Sequence, residues 1–201
     1  MRRQKIAKLV LGITGCMGAG KSTVSEMFRT PGCLFIDVDR LAHSMLRKGG
    51  PVYSRVVRAF GREITGKYGR VDRKKLAEKA FSGKRAAGKL NRIMHGELVK
   101  AIRLRLANTR RRLVVVDGAL IIETGLADAV DRLLVVIASR EKRIARSRKR
   151  LALSRQEVCR RMEYQVSQDE KMRFADFIID NNGRINKTRK QVFEIKKALA
   201  L

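Results

Sequence analysis

Apolar residues along this chain follow two kinds of pattern. Short apolar runs, which are typical of buried strands, occupy residues 9–15, 33–38, 113–116, 132–139 and 177–179. Between these runs, apolar residues recur three and four positions apart, which is the spacing of an amphipathic helix. Strands that alternate with helices in this way predict an α/β fold built on a parallel five-stranded sheet.

The helical pattern covers most of the chain between the strands. It predicts helices over residues 23–29, 39–46, 52–60, 72–81, 84–107, 141–151, 156–174 and 186–201, with a loop over 62–70. Asp72 is the expected N-cap of the helix that follows it. Because residues 49–109 carry no strand pattern, we predict that they form a helical insertion between two strands of the core.

A glycine-rich segment after the first strand predicts a phosphate-binding loop. Residues 12–23 read G-I-T-G-C-M-G-A-G-K-S-T, which fits the pattern G-x-x-x-x-G-K-[ST] between a strand and a helix. Its glycines let backbone N–H groups approach phosphate oxygens, its lysine supplies a cation, and its serine hydroxyl suits magnesium. The spacing and the flanking elements disfavour a turn without a ligand, so a purine triphosphate is expected. The predicted nucleotide-binding residues are Gly15, Gly18, Ala19, Gly20, Lys21, Ser22 and Thr23.

Carboxylates follow the second and third predicted strands. The ends of parallel strands face the crevice that holds the phosphate loop, and alternation would put Asp37 and Asp39 on one side of their strand. Asp39 is a candidate to accept a proton from an attacking hydroxyl or to order magnesium through water, with helix capping as the alternative. Asp117 is a candidate magnesium ligand alongside Ser22, and an ion pair with a neighbouring arginine is the alternative.

The helix pair over residues 140–161 is rich in arginine. A solvated face is the ordinary explanation for most of these charges, but phosphoryl transfer needs cations on the migrating group. Arg146 and Arg150 lie four residues apart and share one helix face. A helix–loop–helix here could close over the nucleotide and exclude water. The histidines are His43 and His95, and a structural role is favoured for His95 because nothing near it in sequence supplies a nucleophile or a metal set.

Composition limits the classes of protein that fit. The 201 residues include 47 Lys and Arg against 19 Asp and Glu, a formal charge of +28 that favours polyanions and would steer a phosphorylated substrate. Aromatic residues are few, so no RNA-binding motif is indicated. Three cysteines without metal spacing (Cys16, Cys33 and Cys159) favour a reducing cytosol. No apolar run is long enough to span a membrane, and the basic stretch 1–8 lacks the pattern of a secretory signal.

Nine blocks, in order, resemble the motifs of the dephospho-coenzyme A kinases, a P-loop kinase family, over nearly the whole chain. They read T-G-C-M-G-A-G-K-S-T, I-D-V-D-R-L-A-H, K-G-G-P-V-Y, V-V-R-A-F-G, Y-G-R-V-D-R-K-K-L, L-N-R-I-M-H-G, D-G-A-L-I-I-E-T-G, R-M-E-Y-Q and A-D-F-I-I-D-N-N-G. The chain departs from the family pattern at Cys16 for Gly, His43 for Arg, Gly96 for Pro, and Gly118–Ala119 for x-Pro.

The resemblance implies phosphorylation of the ribose 3′-hydroxyl of dephospho-coenzyme A by ATP with Mg²⁺. It implies a P-loop kinase-type core (1–47, 110–145 and 172–201), a helical substrate-binding region (48–109) and a small helical lid (146–171). Asp39 would take the hydroxyl proton, while Lys21, Arg146 and Arg150 would stabilise the transferred group. The expected substrate contacts are Asp37, Asp39, Tyr53 and His95, and the expected magnesium ligands are Ser22 and Asp117.

Two other functions use the same loop. A nucleoside or nucleotide kinase would phosphorylate free nucleosides or monophosphates, and a nucleic-acid-binding NTPase would explain the charge of +28. The blocks outside the loop favour the first function, with dephospho-coenzyme A and ATP as partners. We therefore expect a cytoplasmic monomer without a specific nucleic-acid or membrane partner.

Overall fold

The computed structural model describes residues 8–201, so most of the basic stretch at 1–8 lies outside the described residues. All five predicted strands are confirmed, with ends that differ from the prediction by at most two residues. They are β1 (Leu9–Thr14), β2 (Leu34–Asp37), β3 (Leu113–Asp117), β4 (Arg132–Ile137) and β5 (Phe177–Asp180).

The strands form one parallel sheet in the order β2-β3-β1-β4-β5, which confirms the predicted fold class. Asp117 at the end of β3 pairs in register with Asp37 of β2 on one side and with Ile13 of β1 on the other. The carboxyl ends of these three strands therefore lie side by side, immediately before the phosphate loop. This is the edge at which open parallel sheets bind their ligands.

The helices follow the predicted pattern with one exception. They are α1 (Lys21–Met27), α2 (Val38–Met45), α3 (Tyr53–Phe60), α4 (Arg73–Ala80), α5 (Lys84–Asn108), α6 (Arg140–Leu151), α7 (Arg155–Met162), α8 (Gln168–Met172) and α9 (Ile185–Ala198). Asp72 caps α4 as predicted, since its carboxylate accepts from the amides of Lys74 and Lys75. Two short 3₁₀ turns and an isolated antiparallel bridge fill the predicted loop at 62–70.

The predicted single helix over residues 156–174 is wrong, because two helices, α7 and α8, occupy this segment. The Ser167 hydroxyl accepts from the Glu170 amide and starts α8, and the Val166 amide donates to the Glu123 carboxylate instead of continuing α7. Side-chain acceptors thus replace the helical carbonyls at this break.

The prediction that strand alternation puts Asp37 and Asp39 on one side of β2 is also wrong. Strand β2 ends at Asp37, and the carboxylate of Asp37, not that of Asp39, accepts from the Arg40 amide and caps α2. Asp39 lies in the first turn of α2. A helical turn, and not strand alternation, therefore carries Asp39 to the edge of the sheet.

Alternation along the strands gives the sheet two cores. On β3, Val114 and Val116 join the core that includes α2, α3, α4 and α5, while Leu113 and Val115 join the core that includes α1 and α9. The predicted helical insertion is therefore packed against one face of the sheet. Every helix within residues 8–201 is too short or too polar to cross a membrane.

Candidate active site

The phosphate loop (residues 15–22) is held in a conformation that requires glycine. Gly18 and Gly20 have φ angles of 78° and 92°, in the left-handed region that favours glycine. A Cβ on Gly15 would lie 2.6 Å from the carbonyl oxygen of Val136, and one on Gly18 would lie 2.2 Å from that of Arg143. The loop is thus wedged between β4 and α6, and its sequence pattern follows from close backbone packing as well as from the turn.

Asn181 supports the loop from behind. Its Nδ2 donates to the carbonyl of Ala19 (2.8 Å), and its Oδ1 accepts from the fully buried Thr188 hydroxyl (2.9 Å). Arg146 donates to the carbonyls of Ala19 (3.3 Å) and Asn181 (2.9 Å). The predicted lid residue Arg146 therefore bonds to the back of the loop, and Asn181 is a site residue that the sequence analysis missed, although it lies in the I-D-N-N-G block.

Lys21 links the two acids that follow β2 and β3. Its Nζ lies 2.5 Å from Oδ1 of Asp117, which is buried, and 3.8 Å from Oδ2 of Asp39. The cation beside Asp117 is therefore Lys21, and not the arginine considered as an alternative. Ser22 and Thr23 follow Lys21 in the exposed first turn of α1.

The electrostatics of Asp39 differ from those of an ordinary surface aspartate. Desolvation raises the pKa of its carboxyl, Lys21 opposes this shift, and the neighbouring charges of Asp117 and Asp37 add to it. The side chain is still 52% exposed, so a substrate can reach it. A carboxylate with a raised pKa that is accessible from solvent is suited to accept a proton.

A cavity of about 340 Å³ opens beside Asp39. Its walls come from α2, α4, α5 and the turn after α7, and they are mainly apolar, with Val38, Leu46, Leu76, Phe81, Leu90 and Met94 among them. Polar side chains also line it, namely Asp39, His43, Arg73, Asn91, His95, Thr124, Arg161, Tyr164 and Gln165. The predicted insertion and the end of the sheet therefore share one cavity.

The predicted substrate residues do not all reach this cavity. His95 lines it, whereas Tyr53 does not, because the Tyr53 hydroxyl donates to the carbonyl of Gly69 (2.5 Å) within the insertion. Asp37 is half-buried at the cap of α2, and Arg150 is exposed on α6. Arg73, Asn91 and Gln165 were missed, although each lies in one of the matched blocks: Arg73 in Y-G-R-V-D-R-K-K-L, Asn91 in L-N-R-I-M-H-G and Gln165 at the end of R-M-E-Y-Q.

The departures from the family pattern fit the local structure. Cys16 is buried, its φ is not positive, and burial raises the pKa of its thiol, which donates to the carbonyl of Val166 (3.6 Å). This geometry favours a filling role over oxidation.

Gly118 leaves room for Val38, whose Cβ would lie 2.9 Å from an added Cβ. Burial, together with the charge of Arg73, lowers the pKa of His43, so a neutral imidazole stands beside Asp39 at pH 7.

Comparisons with known proteins identify the family. A family model described as dephospho-CoA kinase matches residues 9–187. A dephospho-CoA kinase of Aquifex aeolicus is 40% identical over 190 residues, which cover 94% of this chain and 96% of that protein.

Solved structures agree in fold. A crystal structure of a protein from Thermus thermophilus matches with a TM-score of 0.79 and 28% sequence identity. The match covers 97% of this chain and 99% of that protein's chain. The dephospho-CoA kinase from Campylobacter jejuni has a TM-score of 0.67 at 24% identity, with coverages of 94% and 96%, and supports the P-loop kinase-type fold alone. From the family model and the Aquifex relative, the chain belongs to the dephospho-coenzyme A kinase family.

Proposed function

We propose that this chain transfers the γ-phosphoryl group of ATP to the ribose 3′-hydroxyl of dephospho-coenzyme A, the last step of coenzyme A synthesis. One observation carries the proposal. Asp39 lines the cavity and also lies 3.8 Å from Lys21 of the phosphate loop. A hydroxyl bound in the cavity and a phosphate bound on the loop would therefore meet at Asp39.

In this mechanism Asp39 orients the attacking hydroxyl and accepts its proton. The raised pKa of its carboxyl, caused mainly by desolvation, makes it a better base than an ordinary aspartate. Lys21 faces the same reacting region and balances the negative charge of the outer phosphates. Asp117 holds Lys21 in place from the buried side, at 2.5 Å.

Magnesium fits the oxygen donors of Ser22 and Asp117, although residues 8–201 contain no group of three or more His, Cys, Asp or Glu that could hold a metal. Mg²⁺ in phosphoryl-transfer sites needs only one or two carboxylates, since phosphates and water complete its coordination. The Ser22 hydroxyl and the Asp117 carboxylate would hold it. When bound, the ion supplies charge neutralisation at the phosphate oxygens.

We assign the lid to residues 146–171, the substrate-binding region to 48–109, and the core to 1–47, 110–145 and 172–201. Arg146 and Arg150 would act from the lid helix on the transferred group. Because Arg146 bonds to the carbonyls of Ala19 and Asn181, contact with a phosphate requires it to give up at least part of this arrangement. Tyr53, which bonds within the insertion, would act on the substrate only indirectly.

The charge of the chain suits the proposed substrates. A formal charge of +28 attracts ATP and dephospho-coenzyme A, both of which are polyanions, so a specific nucleic-acid partner is not required to explain it. Three free cysteines fit a reducing compartment, and we propose a cytoplasmic monomer.

A coupled assay for ADP release tests the proposal. It is run with ATP and magnesium and with dephospho-coenzyme A, adenosine, AMP, RNA or no acceptor. We expect ADP only with dephospho-coenzyme A. Release with adenosine or AMP would point to a nucleoside or nucleotide kinase, and release stimulated by RNA would point to a nucleic-acid-dependent NTPase; either result would overturn the proposal.

A further inference from the structure

The turn between α7 and α8 is fixed to the core by a buried ion pair. Lys171 is fully buried, and its Nζ bonds to both carboxylate oxygens of Glu123 (2.7 and 2.8 Å) and to the carbonyl of Ala119 (3.0 Å). The same carboxylate accepts from the Val166 amide (3.1 Å). The residue before Val166, Gln165, therefore sits on a turn that is held in one position.

The phosphate loop determines how the Gln165 amide group is oriented. The backbone N–H of Met17, in the loop, donates to Oε1 of Gln165 (2.8 Å). A backbone N–H needs an acceptor, so the oxygen of the amide group must face Met17 and its NH₂ group must point the other way. Within residues 8–201, that NH₂ group makes no hydrogen bond.

Gln165 also lines the cavity, together with Met17 and Asp39. The amide NH₂ is a donor of fixed direction in a wall that is otherwise mainly apolar. A ligand that places an acceptor there gains a hydrogen bond, whereas one that lacks the acceptor leaves the donor unpaired. Sites of this kind discriminate strongly between related substrates.

We propose that Gln165 determines specificity for the acceptor substrate: its Oε1 positions the phosphate loop and its Nε2 donates to an oxygen or ring nitrogen of the molecule in the cavity. This inference rests on the proposed function, because it takes that molecule to be dephospho-coenzyme A. The Gln165 side chain would then contact the acceptor directly and would affect nucleotide binding indirectly, by positioning the phosphate loop.

Two substitutions separate these roles. Gln165→Glu keeps an oxygen for the Met17 amide but removes the donor, so we expect the KM and the Kd for dephospho-coenzyme A to rise about ten-fold or more while the KM for ATP stays within about two-fold. Gln165→Met removes both groups and should raise the KM for both substrates. The matched control is Gln168→Glu, since Gln168 likewise accepts from a backbone amide, that of Ala138 (3.1 Å), but does not line the cavity.

Steady-state kinetics and calorimetric binding of dephospho-coenzyme A provide the readouts, with thermal unfolding as a check of folding. If Gln165→Glu does not fold, Gln165→Met decides, and an unchanged KM for dephospho-coenzyme A in that variant would overturn the inference. So would equal effects of Gln165→Glu on the two substrates, or the same effect from Gln168→Glu. A wild-type chain inactive on dephospho-coenzyme A would overturn the proposed function as well, whereas an active wild type with an unaffected Gln165→Glu variant would overturn the inference alone.

Discussion

Replacing Lys171 with methionine should destabilise the protein severely. The Lys171 side chain is fully buried, and three oxygens surround its Nζ at 2.7, 2.8 and 3.0 Å. Methionine fills a similar volume but leaves the Glu123 carboxylate, which is 11% exposed, without its counter-charge. Breaking one partner of a buried pair costs about 3–5 kcal/mol of unfolding free energy. For a chain of this size that loss corresponds to a fall in Tm of about 6–20 °C.

The double variant Glu123→Gln/Lys171→Met tests the cause of this loss. It removes both charges, so most of the stability should return, because the cost arises from the uncompensated carboxylate and not from the loss of attraction. The matched control is Arg155→Met, which breaks the exposed pair with Glu141 (2.9 Å) and should have a much smaller effect. Urea unfolding followed by circular dichroism measures all three. The reasoning would be refuted if Lys171→Met lowered the free energy of unfolding by less than about 1 kcal/mol. It would also be refuted if the double variant were no more stable than Lys171→Met.

Other predictions concern catalysis and the backbone. Asp39→Asn should lower kcat by about 10²–10⁴-fold with the KM for ATP nearly unchanged; normal turnover would rule out Asp39 as the base. Because the pKa of Asp39 is raised, the wild-type kcat/KM should fall with decreasing pH at a value above the usual aspartate pKa of about 3.9, and a pH profile without that acid limb would contradict the assignment. Gly20→Ala should weaken ATP binding, since the new Cβ would meet Nδ2 of Asn181 at 2.0 Å, whereas Gly32→Ala has a similar φ but open space and should leave ATP binding intact; titration with ATP compares them. Gly96→Ala, in the interior of α5 with open space around it, should stabilise the protein by about 0.5–1 kcal/mol in urea unfolding, and a loss of stability would show an unrecognised contact.

The strands could be predicted because each is a short apolar run whose neighbours in the chain are polar. Strand β3, for example, is buried along its whole length and ends in an acid, so its apolar residues and its end are both visible in the sequence. The phosphate loop was equally clear, because its spacing encodes a local turn.

The features that were missed depend on contacts between distant residues. The break between α7 and α8 is made by Val166 and Glu123, which are 43 residues apart, and the support of the loop joins Asn181 to Ala19, 162 residues apart. No local pattern reports such contacts. The position of the cap of α2 was missed for a different reason: Asp37 and Asp39 are both good N-caps, and the sequence alone does not choose between ends two residues apart.

The central claim is that the hydroxyl bound beside Asp39 is the ribose 3′-hydroxyl of dephospho-coenzyme A. Its most direct test is to incubate the protein with ATP, magnesium and dephospho-coenzyme A, and to identify the product by mass and by the position of its new phosphate in ³¹P NMR. We predict equal amounts of ADP and of a product with one added phosphate on the 3′-oxygen. Release of inorganic phosphate with unchanged dephospho-coenzyme A, or a phosphate on another oxygen, would contradict the account.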